Sequence, residues 1–134
     1  MGDVKMVIVN DKIYNKILKK ISFGEYSVIQ NGKRREGIAP FILFNFDDIF
    51  LGLETTYDKK WLEELKINDK KNISKYISDV TYEDEKGWMS LITRDMQCFI
   101  YKIDNNIFEI KFSCDTEECG EYYKILLNEK IEIM

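Results

Sequence analysis

Residues 98–114 read "CFIYKIDNNIFEIKFSC", and their pattern sets the reading of the whole chain. Two apolar runs flank Asp104, Asn105 and Asn106, residue types that accept the backbone geometry of a tight turn. The second run alternates. Phe108, Ile110, Phe112 and Cys114 fall on one face, while Glu109, Lys111 and Ser113 fall on the other. A period of two belongs to a strand with one buried and one wet face. Downstream, "YYKILL", a turn at "NEK" and "IEIM" extend the pattern, so the last third predicts consecutive antiparallel strands, a C-terminal β-meander.

Working toward the amino terminus, "IFLGLE", a turn at Asp47 and Asp48, and "FILFNF" predict two further strands. "EYSVIQ" runs into Asn31 and Gly32, the strongest two-residue hairpin signal, and then into "KRREG". "KMVIV" and "GWMSLIT" read as short strands. Three segments read as helical. In 10–21, Ile13, Ile17 and Ile21 recur at spacing four beside Tyr14 and Leu18, with Asn10 or Asp11 as N-cap. In 55–68, Thr56 or Asp58 caps a stripe of Trp61, Leu62 and Leu65. In 69–80, Ile73, Ile77 and Val80 continue a third. The expected fold class is α+β: a mainly antiparallel sheet with two or three helices packed on one face.

A chain of 134 residues with 45% hydrophobic and 33% charged residues fits a single globular domain over 1–134. No Gly/Ser/Pro-rich linker divides it. Net charge is −4, so the chain lacks the field that gathers proteins onto nucleic acid or anionic membranes. Its apolar runs are too short for a bilayer span or a signal peptide's hydrophobic core, and Met6 breaks the myristoylation pattern that Gly2 begins. Three cysteines, Cys98, Cys114 and Cys119, form no even framework and suit free thiols. A cytoplasmic location is expected.

The chain has no histidine. That removes the commonest general base, the usual zinc ligand and the middle member of Ser-His-Asp sites. No Gly-rich phosphate loop is present. Cys114 and Cys119 stand at CxxxxC spacing, wider than the CxxC pairs of structural zinc. Glu117, Glu118 and Glu121 oppose a thiolate at Cys119. The pairs Asp47–Asp48 and Glu63–Glu64 read as a turn and a wet helix face, and "GKRREG" as a solvated turn. No catalytic residue, cofactor or metal is assigned.

What remains is acids set among aromatics. "TYEDEKGW" places Glu83, Asp84 and Glu85 between Tyr82 and Trp88. "DTEECGEYY" places Asp115, Glu117, Glu118 and Glu121 before Tyr122. Read as turn-like segments, both present negative charge beside rigid aromatic surface, the chemistry of docking to a basic protein. In this the chain resembles bacterial immunity proteins, which neutralise toxin nucleases and other polymorphic toxins. The resemblance implies a small acidic cytoplasmic domain with no catalytic apparatus, forming a one-to-one complex over a toxin's active site or beside it. Two other classes stand against it: a carboxylate-based enzyme or small-ligand binder, and an accessory protein that self-associates through a sheet edge or helix stripe.

Overall fold

A computed structural model of the chain describes residues 6–9, 12–14, 17–118 and 121–133, and strands dominate it. In chain order these are β1 (Met6–Val9), β2 (Lys12–Tyr14), β3 (Leu18–Gln30), β4 (Lys33–Phe46) and β5 (Ile49–Thr55). The helix α1 (Lys59–Glu64) follows, then β6 (Lys70–Asn72), a 3-10 turn (Ser74–Tyr76), β7 (Ile77–Asp84) and β8 (Gly87–Ser90). The chain ends with β9 (Thr93–Asp104), β10 (Ile107–Glu118) and β11 (Glu121–Glu132). They form two antiparallel sheets. One has six strands in the order β2-β1-β11-β10-β9-β6, and the other five in the order β3-β4-β5-β7-β8.

The two sheets share one apolar core, which makes the fold a β-sandwich. Ile42, Phe44, Phe46, Leu51, Leu53, Val80 and Tyr82 come from the five-stranded sheet. Cys98, Ile100, Phe108, Ile110, Phe112, Cys114, Ile125, Leu127 and Ile131 come from the six-stranded one. Along β10 the buried apolar row is the one that the alternation marks, and Glu109 of the other row, expected on the wet face, is buried as well with Lys111 Nζ 3.7 Å from its carboxylate. The rings of Tyr14 and Phe46 meet across the sheets at 4.8 Å. Parity also puts Glu129 into the interior row of β11, where Lys19 Nζ lies 3.5 Å from its carboxylate. Pairing is what allows a charge to stay there.

The expected α+β class is therefore corrected to a mostly-β sandwich. Residues 12–14 and 18–30 are strands, so the helix expected over 10–21 does not form, and Ile13 is 54% exposed. The segment 69–80 is divided between β6, the 3-10 turn and β7. A spacing of four satisfies a helix turn and two strand repeats alike, and β-branched isoleucine packs better on a pleated surface. Among the described residues, α1 is the one α-helix, and it plugs an end of the sandwich near Phe23 and Phe108 instead of covering a face. Asp58 caps it, accepting from the Lys60 N–H at 2.9 Å, and Leu62 is buried. It stops at Leu65, whose backbone is extended. β11 runs without interruption through Asn128–Lys130, so no turn forms at "NEK". The meander β9-β10-β11 and the Asn31–Gly32 turn do form, both turn residues having positive φ (54° and 76°).

Removing a ring from the shared core leaves a cavity, so Phe44→Ala should cost about 3–5 kcal/mol in urea unfolding. Ile13→Ala should cost no more than about 0.5–1 kcal/mol. Equal costs at the two positions would restore the helical reading of residues 10–21.

Candidate functional site

The outer face of the five-stranded sheet carries the aromatic and acidic side chains that the alternation sends outward. Its ladders align them in rows. One row runs Leu18, Asn45, Phe50, Glu83, Trp88. The next runs Lys20, Leu43, Gly52, Thr81, Ser90, and a third runs Ser22, Phe41, Glu54, Asp79. Trp88 is 63% exposed and stands directly opposite Glu83. Gly52 is a point of close approach, since a Cβ there would fall on Thr81 Oγ1 and lie 3.3 Å from Leu43 and Phe41. Its bare backbone lets those two side chains lie across the sheet. Among the described residues, Glu54, Asp79 and Glu83 form no ion pair. The Asp79 carboxylate accepts from Ser90 Oγ, at 3.2 Å.

Next to these rows lies a groove of about 600 Å³ bordered by Ser22, Tyr26, Phe41, Glu54, Thr56 and Ser78. Its wall at Tyr26 is fixed by a cluster centred on Arg35. The guanidinium lies 4.8, 4.7 and 5.5 Å from the ring centres of Tyr26, Trp61 and Tyr76. Its Nη1 donates to Tyr26 Oη at 2.6 Å and to the Thr56 carbonyl at 2.9 Å. Tyr26 Oη donates in turn to Asp58 Oδ2 at 2.7 Å. Tyr57, Trp61 and Tyr76 pack edge to face with one another. A planar cation stacked and hydrogen-bonded in this way ties the β3–β4 hairpin to α1 and the 3-10 turn. Gly37 is required here, because a Cβ would strike the Asp58 carboxylate. Desolvation works against ionisation of Asp58, but the Lys60 N–H, the Tyr26 hydroxyl, and the charges of Lys60 and Arg35 outweigh it. The carboxyl is held below its ordinary range. Desolvation and the bond to Asp58 push the Tyr26 phenol up.

Of the residues singled out from sequence, Glu83, Glu85 and Trp88 are exposed, and Asp84 is half-buried and accepts from the Lys86 N–H in the β7–β8 turn. Tyr82 is corrected. It is 3% exposed, because in a strand it takes the face opposite to Glu83, pairing inward with Met89. Residues 115–118 and 121–122 are not a loop but the paired ends of β10 and β11. Asp115 is half-buried, with Arg94 and Lys124 as its cross-strand neighbours, so local bases offset its charge. Glu117 pairs with Tyr122 and Glu118 with Glu121 along the backbone. The side chains of Glu117, Glu118, Glu121 and Tyr122 lie outside the description, as does Cys119 altogether.

Among the described residues, no three metal-ligating side chains gather. Sequence reasoning missed Phe41, Leu43, Phe50, Glu54 and Asp79 as site residues, and Arg35 with its rings. The alternation within "FILFNF", "IFLGLE" and "ISDVTYED" carries the first group, but only the strand register brings the rows together.

Burial pushes the Cys98 and Cys114 thiols up to about 12. Neither should react with iodoacetamide at pH 8 in the folded protein, and both should react in urea, as read by mass spectrometry. Alkylation of either in the native state would contradict their place in the core. Asp58, with its pKa depressed by folding, adds stability above its unfolded pKa and loses it as pH falls through the folded one. The urea midpoint should therefore drop faster below about pH 4 in the parent protein than in Asp58→Asn. Parallel curves would remove the carboxylate's role.

No helix of the described residues is long and apolar enough to cross a membrane. Comparison with protein-family models, with curated proteins and with solved structures finds no match, so the reading of the site rests on its geometry.

Proposed function

We propose that this chain is a non-enzymatic protein-binding domain of the immunity type, which neutralises a toxin domain by docking through the outer face of its five-stranded sheet. The observation that carries this reading is the row in which exposed Trp88 stands beside Glu83 and Phe50. An indole flanked by carboxylates suits a partner whose surface mixes apolar and basic side chains. Glu54, Asp79 and Glu83 speed the encounter, and Trp88 with Phe50 supplies the desolvated centre. The groove beside Phe41 takes a basic side chain of the partner, with Glu54 as its counter-ion. Relative to the sequence reading, the docking surface moves from two loops to one sheet face. Trp88, Glu83 and Glu85 are kept, and Tyr82 drops out.

The test is to read the adjacent reading frames for a secreted protein with a toxin-like C-terminal domain and to titrate that purified domain against this chain by calorimetry and by stopped flow at low salt. Trp88→Ala should weaken binding by about 2 kcal/mol or more. Glu83→Lys should slow association while leaving the circular dichroism spectrum unchanged. Glu63→Lys, on the exposed side of α1, should do neither. Absence of binding, or equal affinities for Trp88→Ala and the parent, would overturn the proposal.

A further inference from the structure

Among the described residues, three of the four sheet edges are short. β2 and β6 have three residues each, β8 has four, and β3 has thirteen. An edge strand that long offers a row of unpaired N–H and C=O groups, and proteins usually blunt it with a bulge, a proline, inward-pointing charges or a covering element. β3 has no bulge and no proline, and its inward charges, Lys19 and Glu25, are of opposite sign, so a second copy can match them. Its ladder with β4 runs unbroken from Leu18 opposite Asn45 to Gln30 opposite Lys33, and the strand contains no proline. The segment 55–58 and α1 pack on β4, through Thr55 Oγ1 to the Pro40 carbonyl and Asp58 beside Gly37, and they meet β3 through side chains, Asp58 at the Tyr26 hydroxyl and Lys59 over the Phe23 ring, not along its backbone edge. Among the described residues, no backbone hydrogen bond outside the ladder reaches β3.

The sequence of that edge is complementary to itself. When two copies pair antiparallel about a two-fold axis normal to the sheet, opposed residues share a face, so only positions of equal parity meet. With the axis at Ser22, Lys19, whose ammonium also reaches Glu129 of its own chain, faces Glu25 twice and Ile21 faces Phe23 twice on the inner side. On the outer side, Leu18 (76% exposed) faces Tyr26, and Lys20 faces Gly24. Opposite charges and apolar pairs are the favourable cross-strand combinations. Moving the axis to Phe23 sets Glu25 against Ile21. Moving it to Gly24 sets Glu25 against Phe23, and moving it to Glu25 sets that carboxylate against its own copy.

We propose that two copies of this chain pair along β3 about a two-fold axis at Ser22, joining their five-stranded sheets into one continuous sheet. This interface leaves the exposed indole of the proposed toxin surface free, because Trp88 lies on β8 at the opposite edge of the sheet, while Ser22 and Tyr26 belong both to the seam and to the border of the groove beside Phe41. A dimer of this kind presents two outward faces at once.

The pairing brings the two Ser22 Cα atoms to about 4.5–5.5 Å, within the reach of a disulfide. In a Cys119→Ser background, Ser22→Cys should give a cross-linked dimer under mild oxidation, and Ser27→Cys should not. Sedimentation equilibrium over roughly 1–100 µM should show mass rising toward two chains. Glu25→Lys, which sets like charges together, should raise the dissociation constant by roughly tenfold or more. Circular dichroism checks the fold of each variant, and the Glu25→Lys comparison stands even where Ser22→Cys fails to fold. A mass that stays at one chain throughout would overturn the proposal. So would a Glu25→Lys protein that dimerises like the parent, or equal cross-linking at positions 22 and 27.

Discussion

Two sheets can share one core only if every strand keeps to the same alternation, one row in and the next row out. Here that parity holds in one register across β4, β5, β7 and β8. It sets Phe44, Leu51, Tyr82 and Met89 in line on the inside and Asn45, Phe50, Glu83 and Trp88 in line on the outside, one residue away in each strand. A slip of one residue would exchange the two rows and bury charge. Parity even outranks polarity at Glu129, which is taken into the core and held there with Lys19 as its partner.

The outer row inherits its order from the inner one. Because the inner residues are locked by packing, Trp88 and Glu83 are held by paired strands and not by a loop, and the docking proposed for this face would lose less entropy for that reason. The Arg35 cluster serves the same end from the far side of the sheet. By stacking on Tyr26, Trp61 and Tyr76 and bonding the Thr56 carbonyl, it holds the β3–β4 hairpin against the chain that leaves β5. That keeps the groove beside Phe41 open.

Much of the fold is legible in the sequence where local chemistry speaks alone. Asn31–Gly32 needs positive φ at two successive positions and marks its hairpin. Phe108, Ile110, Phe112 and Cys114 mark a buried face by strict alternation. The misreadings have one cause. Ile13, Ile17 and Ile21, like Ile73 and Ile77, are four apart, and that interval fits both periods. Only the lack of a face left to cover decides for strands. The site is legible in part: "TYEDEKGW" yields Trp88 and Glu83 because they flank a turn, yet it also offers Tyr82, which differs only in parity. Phe41, Leu43 and Phe50 are invisible as a group until the register of β4, β5 and β7 places them side by side. Arg35 is invisible for another reason: Trp61 and Tyr76 lie far along the chain, and no local pattern announces the contact.

The most direct measurement is the pattern of backbone nuclear Overhauser effects over residues 12–30 in the labelled protein. The sandwich requires Hα–Hα contacts between β3 and β4 in the register that sets Ile21 opposite Ile42, continuing to the Asn31–Gly32 turn. Sequential Hα–HN contacts from i to i+3 across residues 12–21, without those cross-strand contacts, would mean a helix there. In that case the parity that turns Trp88 and Glu83 outward would lose its basis.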